Sequence, residues 1–232
     1  MKKIIFNHKS YLLYDEIINF RNEFDKLDKS YEYILFPQLI YLPLFVGDKY
    51  LVGAQDFYSS NMGSFSGEIN LESLGSLGVK YTLVGQYGRI KFSGENKIIV
   101  KDKLYKSLDA KFNTFLCIGE DRRTSRPFLK IKKQLFYYLK GIEKSKLKKL
   151  SIIYEPSNST GSANINDVEY IIKTINRIKC YVKSKYNLNV EVYYGGRISK
   201  ENISQIINNC DGVVLGKMST DIKVIKDLLT SI

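Results

Sequence analysis

Eight short apolar runs recur along this chain at intervals that leave room for a helix between most of them: Lys3 to Phe6, Tyr33 to Phe36, Tyr50 to Ala54, Tyr81 to Gly85, Thr114 to Ile118, Leu150 to Tyr154, Val190 to Tyr194 and Gly212 to Leu215. The runs are rich in β-branched and aromatic residues, and each is too short for a core helix and too continuously apolar for a half-solvated antiparallel strand. Residues 14–28, 71–78, 101–111, 128–148, 166–186, 200–208 and 219–230 between them read as amphipathic helices. Parallel strands joined by helical crossovers follow. Eight such units in 232 residues suit a closed ring better than an open sheet, so the expected fold is α/β, a single (β/α)8 barrel over residues 1–232. No segment has the composition of a linker or a low-complexity tract.

Composition removes several classes of chemistry. No apolar run approaches the roughly 20 residues needed to cross a bilayer, and Asn7-His8-Lys9-Ser10 interrupts the first run too early for a signal peptide. A cytoplasmic protein without a membrane partner is expected. Cys117, Cys180 and Cys210 are odd in number and widely spaced, which argues against a disulfide framework or a structural zinc site. His8 is the sole histidine, so a histidine metal centre or a Ser-His-Asp triad has little to draw on, and no metal is expected. The formal net charge of +12 invites a nucleic-acid reading. However, the densest basic segment, Lys130 to Lys149, keeps Phe128, Ile131, Leu135, Leu139 and Ile142 at helical spacing, the pattern of a solvated helix face over a core. The reading excludes a nucleic-acid partner and retains a general attraction for small phosphorylated molecules.

In a parallel barrel the carboxyl ends of all the strands lie on one face, and polar residues and glycines collect there in this sequence. They are Asn7-His8-Lys9, Gly53-Ala54-Gln55-Asp56, Gly85-Gln86-Tyr87-Gly88, Gly119-Glu120, Glu155-Pro156, Gly195-Gly196-Arg197 and Gly216-Lys217. Tyr154-Glu155-Pro156 carries the most information. A carboxylate ends an apolar run, proline stops the strand, and the small polar stretch Ser157 to Ala163 follows, as for a base presented beneath a movable cover.

These segments, in this order, resemble the triosephosphate isomerase family from end to end. Asn7-x-Lys9 is similar to the family's asparagine and lysine pair, Gly53-Ala54-Gln55-Asp56 to its Gly/Ala-Ala-Gln-Asn, and Gly63-Ser64-Phe65-Ser66-Gly67-Glu68 to its Gly-Ala-Phe-Thr-Gly-Glu loop. Cys117-Ile118-Gly119-Glu120 matches Cys-Ile-Gly-Glu. Tyr154-Glu155-Pro156 matches the segment of the catalytic base, Tyr194-Gly195-Gly196 the phosphate-binding turn, and Asp211 to Gly216 the motif of the last strand. The resemblance implies a cofactor-free ketose-aldose isomerase of glycolysis and gluconeogenesis that interconverts dihydroxyacetone phosphate and glyceraldehyde 3-phosphate through an enediolate. Glu155 would be the base, Lys9 the fixed positive charge, and Asn7 an orienting amide. Phosphate would lie against backbone N–H groups at Gly161, Gly195, Gly196 and Gly216. The loop Gly63 to Glu68 would enter a neighbouring subunit, implying a symmetric homodimer.

The sequence also departs from the family. Gly85-Gln86-Tyr87-Gly88-Arg89-Ile90 stands where the family has Gly-His-Ser-Glu-Arg-Arg, so Gln86 replaces the electrophilic histidine. A glutamine amide can donate to an oxyanion but cannot lend and recover a proton, which leaves Glu155 to move protons between oxygens as well as carbons. His8 occupies the tryptophan position of Asn-Trp-Lys and is expected on the opposite side of its strand from Asn7 and Lys9. Pro156 to Ala163 lacks the tryptophan and apolar residues of the family's lid. Arg197 and Lys217 replace a serine and a glycine, placing two candidate cations beside the phosphate pocket. The alternative implied by these departures is a paralogue with another sugar phosphate or a phosphate-binding protein without catalysis.

Overall fold

The computed structural model describes residues 1–28, 30–47, 49–120, 126–156 and 168–232. Eight strands form a closed parallel ring in sequence order: β1 (Lys3–Asn7), β2 (Glu32–Phe36), β3 (Leu51–Ala54), β4 (Tyr81–Val84), β5 (Asn113–Ile118), β6 (Leu150–Tyr154), β7 (Glu191–Tyr194) and β8 (Gly212–Leu215). The helices are α1 (Tyr14–Phe24), α2 (Leu71–Ser76), α3 (Tyr87–Phe92), α4 (Lys97–Asp109), α5 (Pro127–Leu139), α6 (Lys144–Leu147), α7 (Val168–Tyr186), α8 (Lys200–Asn208) and α9 (Ile222–Leu229). Two 3₁₀ turns, Leu39–Leu44 and Lys217–Thr220, follow β2 and β8.

The period of two within each strand sorts its side chains into two cores. Ile5, Ile34, Phe36, Leu83, Phe115, Cys117, Ile153, Tyr193 and Val214 fill the inside of the ring. Their neighbours Ile4, Phe6, Leu35, Leu116, Ile152, Val192 and Val213 face outward into a larger core against the helices. Aromatic rings carry much of the inner packing: Phe115 meets Phe36 at 5.9 Å and Tyr193 at 5.2 Å, both edge-to-face.

Helix boundaries follow local chemistry. The Asn70, Asn96 and Asp221 side chains accept from the first backbone N–H groups of α2, α4 and α9. At α1, where Leu13 cannot cap, the Glu16 carboxylate accepts from Leu13 N–H at 2.7 Å. The helix expected over 128–148 is two helices, because Gly141 adopts φ +85° and breaks α5 from α6. The basic run is largely exposed while Ile131, Leu135 and Leu139 are buried, as its periodicity predicts. Helix α3 has no buried residue and so left no apolar period to detect.

The ring closes where β1 pairs with β8, in the register Lys3 to Gly212 through Phe6 to Leu215. Backbones approach so closely there that a Cβ on Gly212, at φ +159°, would lie 1.9 Å from the Lys3 carbonyl oxygen. Gly212→Ala is therefore expected to destabilise the protein by about 2 kcal/mol or more, read as a lower urea midpoint. Gly75→Ala in α2, where the added Cβ meets only ordinary contacts, is expected to stabilise the protein by about 0.5–1 kcal/mol, read as a higher urea midpoint.

Candidate active site

Ring closure brings the carboxyl ends of all eight strands to one mouth, where Asn7, Lys9, Gln86, Glu155, Gly195 and Gly216 come close to one another. Asn7 is the last residue of β1, and Lys9 follows two positions later. Glu155 leaves β6, with its N–H bonded to the Ile118 carbonyl at 2.8 Å. The neighbouring Gly119 permits this path: a Cβ there would lie 1.9 Å from the Glu155 carbonyl oxygen. Proximity ties the flanking strand ends to the same place. A Cβ on Gly195 would sit 3.6 Å from the Glu155 Cβ, and one on Gly216 would sit 3.8 Å from the Lys9 Nζ.

The electrostatics of Glu155 suit a base. Burial raises its carboxyl pKa above the usual value, and the positive charge of Lys9 pulls in the opposite direction. The two groups therefore sense each other across the mouth although they are remote in sequence. The Glu155 charge in turn adds to burial in pushing the Cys117 thiol up, keeping that inner-core cysteine protonated and inert.

Side-chain amides connect the ends of β1, β3 and β4. Asn7 Nδ2 donates to Gln86 Oε1 at 3.0 Å, and Gln86 Nε2 donates to the Gln55 carbonyl at 2.7 Å. Gln55 Nε2 donates to the carbonyls of Lys9 and Phe36, both at 2.9 Å, and Lys9 N–H donates to Asn7 Oδ1 at 3.3 Å. Lys9 itself has φ +50°, a left-handed conformation that costs a non-glycine residue about 1–2 kcal/mol. Its backbone N–H and C=O are both held by the amides around it.

His8 takes the expected opposite side. It is fully buried against Phe20 of α1, with ring centroids 4.5 Å apart, and burial lowers its pKa to about 4 despite a backbone contact with Ser219. A neutral imidazole in the outer core does not stand in for the absent one at the mouth.

Gly196 and Arg197 follow β7, and Lys217 follows β8, so they occupy the strand ends expected of them. Arg197 and Lys217 are exposed and form no ion pair among the described residues; the Lys217 ammonium lies 5.7 Å from the centre of the Tyr11 ring. Gly161 and the stretch 157–163 lie outside the described residues. Among the described residues no cluster of His, Cys, Asp and Glu has metal-binding geometry, and no helix is long and apolar enough to cross a membrane.

Two features of the site were not read from the sequence. Glu95 and Lys103 are buried and belong to an ion cluster behind the amides: Lys103 Nζ lies 2.5 Å from both Asp56 Oδ1 and Glu95 Oε1, and Arg89 contacts the same acids at 2.7 and 3.2 Å. The other feature is Glu120, buried where it accepts from the Tyr154 and Tyr170 hydroxyls, each at 2.8 Å. The Cys-Ile-Gly-Glu match contained Glu120 but no indication of those partners. A charged pair eight residues apart, Glu95 and Lys103, is a usable signal only once α4 is known to begin between them.

Comparison with known proteins agrees with this geometry over nearly the whole chain. The sequence model of the family described as triosephosphate isomerase matches residues 2–232. A triosephosphate isomerase of Mycoplasma genitalium is 33% identical over 184 residues, covering 77% of this chain and 75% of the relative. One from Alkaliphilus metalliredigens is 33% identical and covers 74% and 73%, and one from Onion yellows phytoplasma is 30% identical over 233 residues, covering 94% and 85%. With a closed eight-stranded ring, Glu155 facing Lys9 across its mouth, and a match along its full length, the chain belongs to the triosephosphate isomerase family.

Proposed function

We propose that this protein interconverts dihydroxyacetone phosphate and glyceraldehyde 3-phosphate through an enediolate, with Glu155 as the base. The observation that carries this reading is the desolvated Glu155 carboxylate at the same barrel mouth as the Lys9 ammonium. Glu155 takes a proton from the carbon beside the carbonyl, and the electron pair left behind forms the carbon–carbon double bond while the carbonyl oxygen becomes negative. Lys9 and the amides of Asn7 and Gln86 stabilise that oxygen, and the proton returns to the neighbouring carbon. Gln86 keeps its proton throughout because an amide is not a usable acid at neutral pH, so Glu155 also carries protons between the two oxygens.

The phosphate is assigned to the backbone N–H groups of Gly196 and Gly216, with Arg197 and Lys217 adding charge at the rim; the Gly195 N–H, expected to join them, is held by the Tyr154 carbonyl at 2.9 Å, and Gly161 lies outside the described residues. Lys9 beside Gly216 supports placing the anion there. Proton transfer by a carboxylate, an ammonium and amides calls for no metal or redox cofactor. We read residues 1–232 as one domain, since β1 and β8 from the two ends of the chain are neighbours in the ring, and the setting as cytoplasmic. The loop Gly63 to Glu68 is assigned to the interface of a homodimer. Phe65 packs on Tyr58 at 4.9 Å yet stays 43% exposed, and Met62 beside it is 73% exposed, an arrangement that a second copy would cover.

Glu155→Gln is expected to lower kcat about 1000-fold with an unchanged melting temperature, measured in a coupled assay on glyceraldehyde 3-phosphate beside wild type purified in the same way. Equal residual turnover in both would favour a phosphate-binding protein without catalysis. The acid limb of kcat/KM is expected above the usual carboxylate range, because burial raises the Glu155 pKa, and Lys9→Met is expected to move it higher still by removing the opposing charge. The sign with respect to stability is opposite: a carboxyl whose folded pKa exceeds its unfolded value makes the fold more stable as it protonates. Loss of activity on mild acidification should therefore precede any unfolding, which circular dichroism across the same pH range would check. Finally, Phe65→Glu is expected to turn a dimer into a monomer in analytical ultracentrifugation, whereas a dimer that survives it would remove the loop from the interface.

A further inference from the structure

We propose that Gln55 is a positioning residue of the isomerisation: it holds Lys9 in the left-handed backbone conformation from which its ammonium reaches Gly216, and Gln86 is the link that holds Gln55. The proposal rests on the reading of Lys9 as the cation that faces the substrate. It adds how an unfavourable conformation at residue 9 is maintained and what the amide at position 86 contributes beyond an oxyanion contact.

The geometry runs in a closed loop. The backbone of Lys9 is gripped on both sides, its N–H by Asn7 Oδ1 at 3.3 Å and its carbonyl by Gln55 Nε2 at 2.9 Å. The same Gln55 Nε2 donates to the Phe36 carbonyl at 2.9 Å, so the position of Lys9 is referred to the rigid end of β2 and not to a loop. The Gln55 backbone is fixed in its turn by Gln86 Nε2 at 2.7 Å, and the Gln86 oxygen accepts from Asn7 Nδ2 at 3.0 Å, which returns the chain of bonds to β1. Both ends of the Gln86 side chain are thus engaged with backbone or side chain.

A single weak bond would not hold a lysine at φ +50° against its preference for the right-handed and extended regions. Each amide here has a carbonyl and an NH2 on one planar group, so it can accept on one side and donate on the other and carry orientation from strand to strand. Gln55 has two donor hydrogens and uses them on two carbonyls, leaving its amide little freedom to turn. With the Gln55 amide gone, the Lys9 carbonyl loses its partner, the strained conformation loses its support, and the ammonium moves away from Gly216. A displacement of about 1 Å at a charged group in such a site is enough to cost on the order of 100-fold in rate.

The test is a double-mutant cycle on kcat/KM for glyceraldehyde 3-phosphate with Gln55→Met, which keeps length and volume but removes the amide, and Lys9→Met. Gln55→Met is expected to reduce kcat/KM about 30-fold in the chain with Lys9, mainly by lowering kcat, and less than about twofold in the chain with Lys9→Met, where there is no ammonium left to position. An equal loss in both backgrounds, or no loss in the first, overturns the proposal and makes Gln55 merely structural. Lys9→Met with wild-type activity would instead overturn the assignment of Lys9, and the proposal with it; that result is read from a separate variant, so the two failures are distinguishable. Melting temperatures of all four proteins accompany the kinetics, and Gln55→Leu, which also lacks the amide and adds no charge, replaces Gln55→Met with the same expected coupling where the latter does not fold.

Discussion

The parallel pairing of β1 with β8 is the constraint on which the other features of this protein depend. It joins the two ends of the chain, turns a row of strands into a ring, and sets Lys9 beside Gly216 with more than two hundred residues between them. An open sheet with the same eight strands would leave those groups at opposite edges. The cost of closure is visible at Gly212, where two backbones pass too closely for any side chain, and its return is a mouth whose geometry is defined by backbone hydrogen bonds between strands and not by the surface loops.

The inner core explains why a small ring can be rigid enough to hold such a site. Interlocking Phe36, Phe115 and Tyr193 fill the centre with edge-to-face contacts, and Cys117 and Ile153 complete the layer beneath the carboxylate. Aromatic rings fill this volume with few rotatable bonds, which favours one arrangement of the strand ends over many. Glu155 benefits directly, because the apolar floor below it excludes water and raises its pKa.

Strands, their order and the residues at their ends were legible from residue type and period alone, because both faces of a parallel strand are buried and the signal is strong. The ends of the helices were less so. Lysines continue through Lys140 and Lys144 on either side of Gly141, so the apolar period looks unbroken across a real boundary, and α3 has no buried face at all. Glu155 could be named from its position directly after a strand, whereas Lys9, two residues beyond β1, took its role from the family resemblance. The amide loop could not: that Gln55 bonds to Lys9 and Phe36, or Gln86 to the carbonyl of Gln55, depends on the register of β1 to β4 and on a positive φ that no lysine announces. The ion cluster of Asp56, Arg89, Glu95 and Lys103 is hidden for the same reason, since its members come from three separate segments.

That cluster and the amide loop together give the absence of an imidazole a physical consequence. Two acids and two bases lie behind Gln55 and Gln86, and burial raises the Asp56 carboxyl pKa while Lys103 and Arg89 oppose the shift. Removing one member would leave a buried charge uncompensated, so the group acts as a pinned joint between the ends of β3 and β4 more than as a source of net stability. A glutamine does not change its protonation near neutral pH, and His8 stays neutral in the outer core with a pKa near 4. The acid–base chemistry of the mouth then falls to Glu155, whose carboxyl must be ionised to begin the reaction and protonated to continue it. The bonded amides of Asn7, Gln55 and Gln86 keep Lys9 in one place while the carboxylate changes state, which is the condition under which one group can serve four atoms of a small substrate in turn.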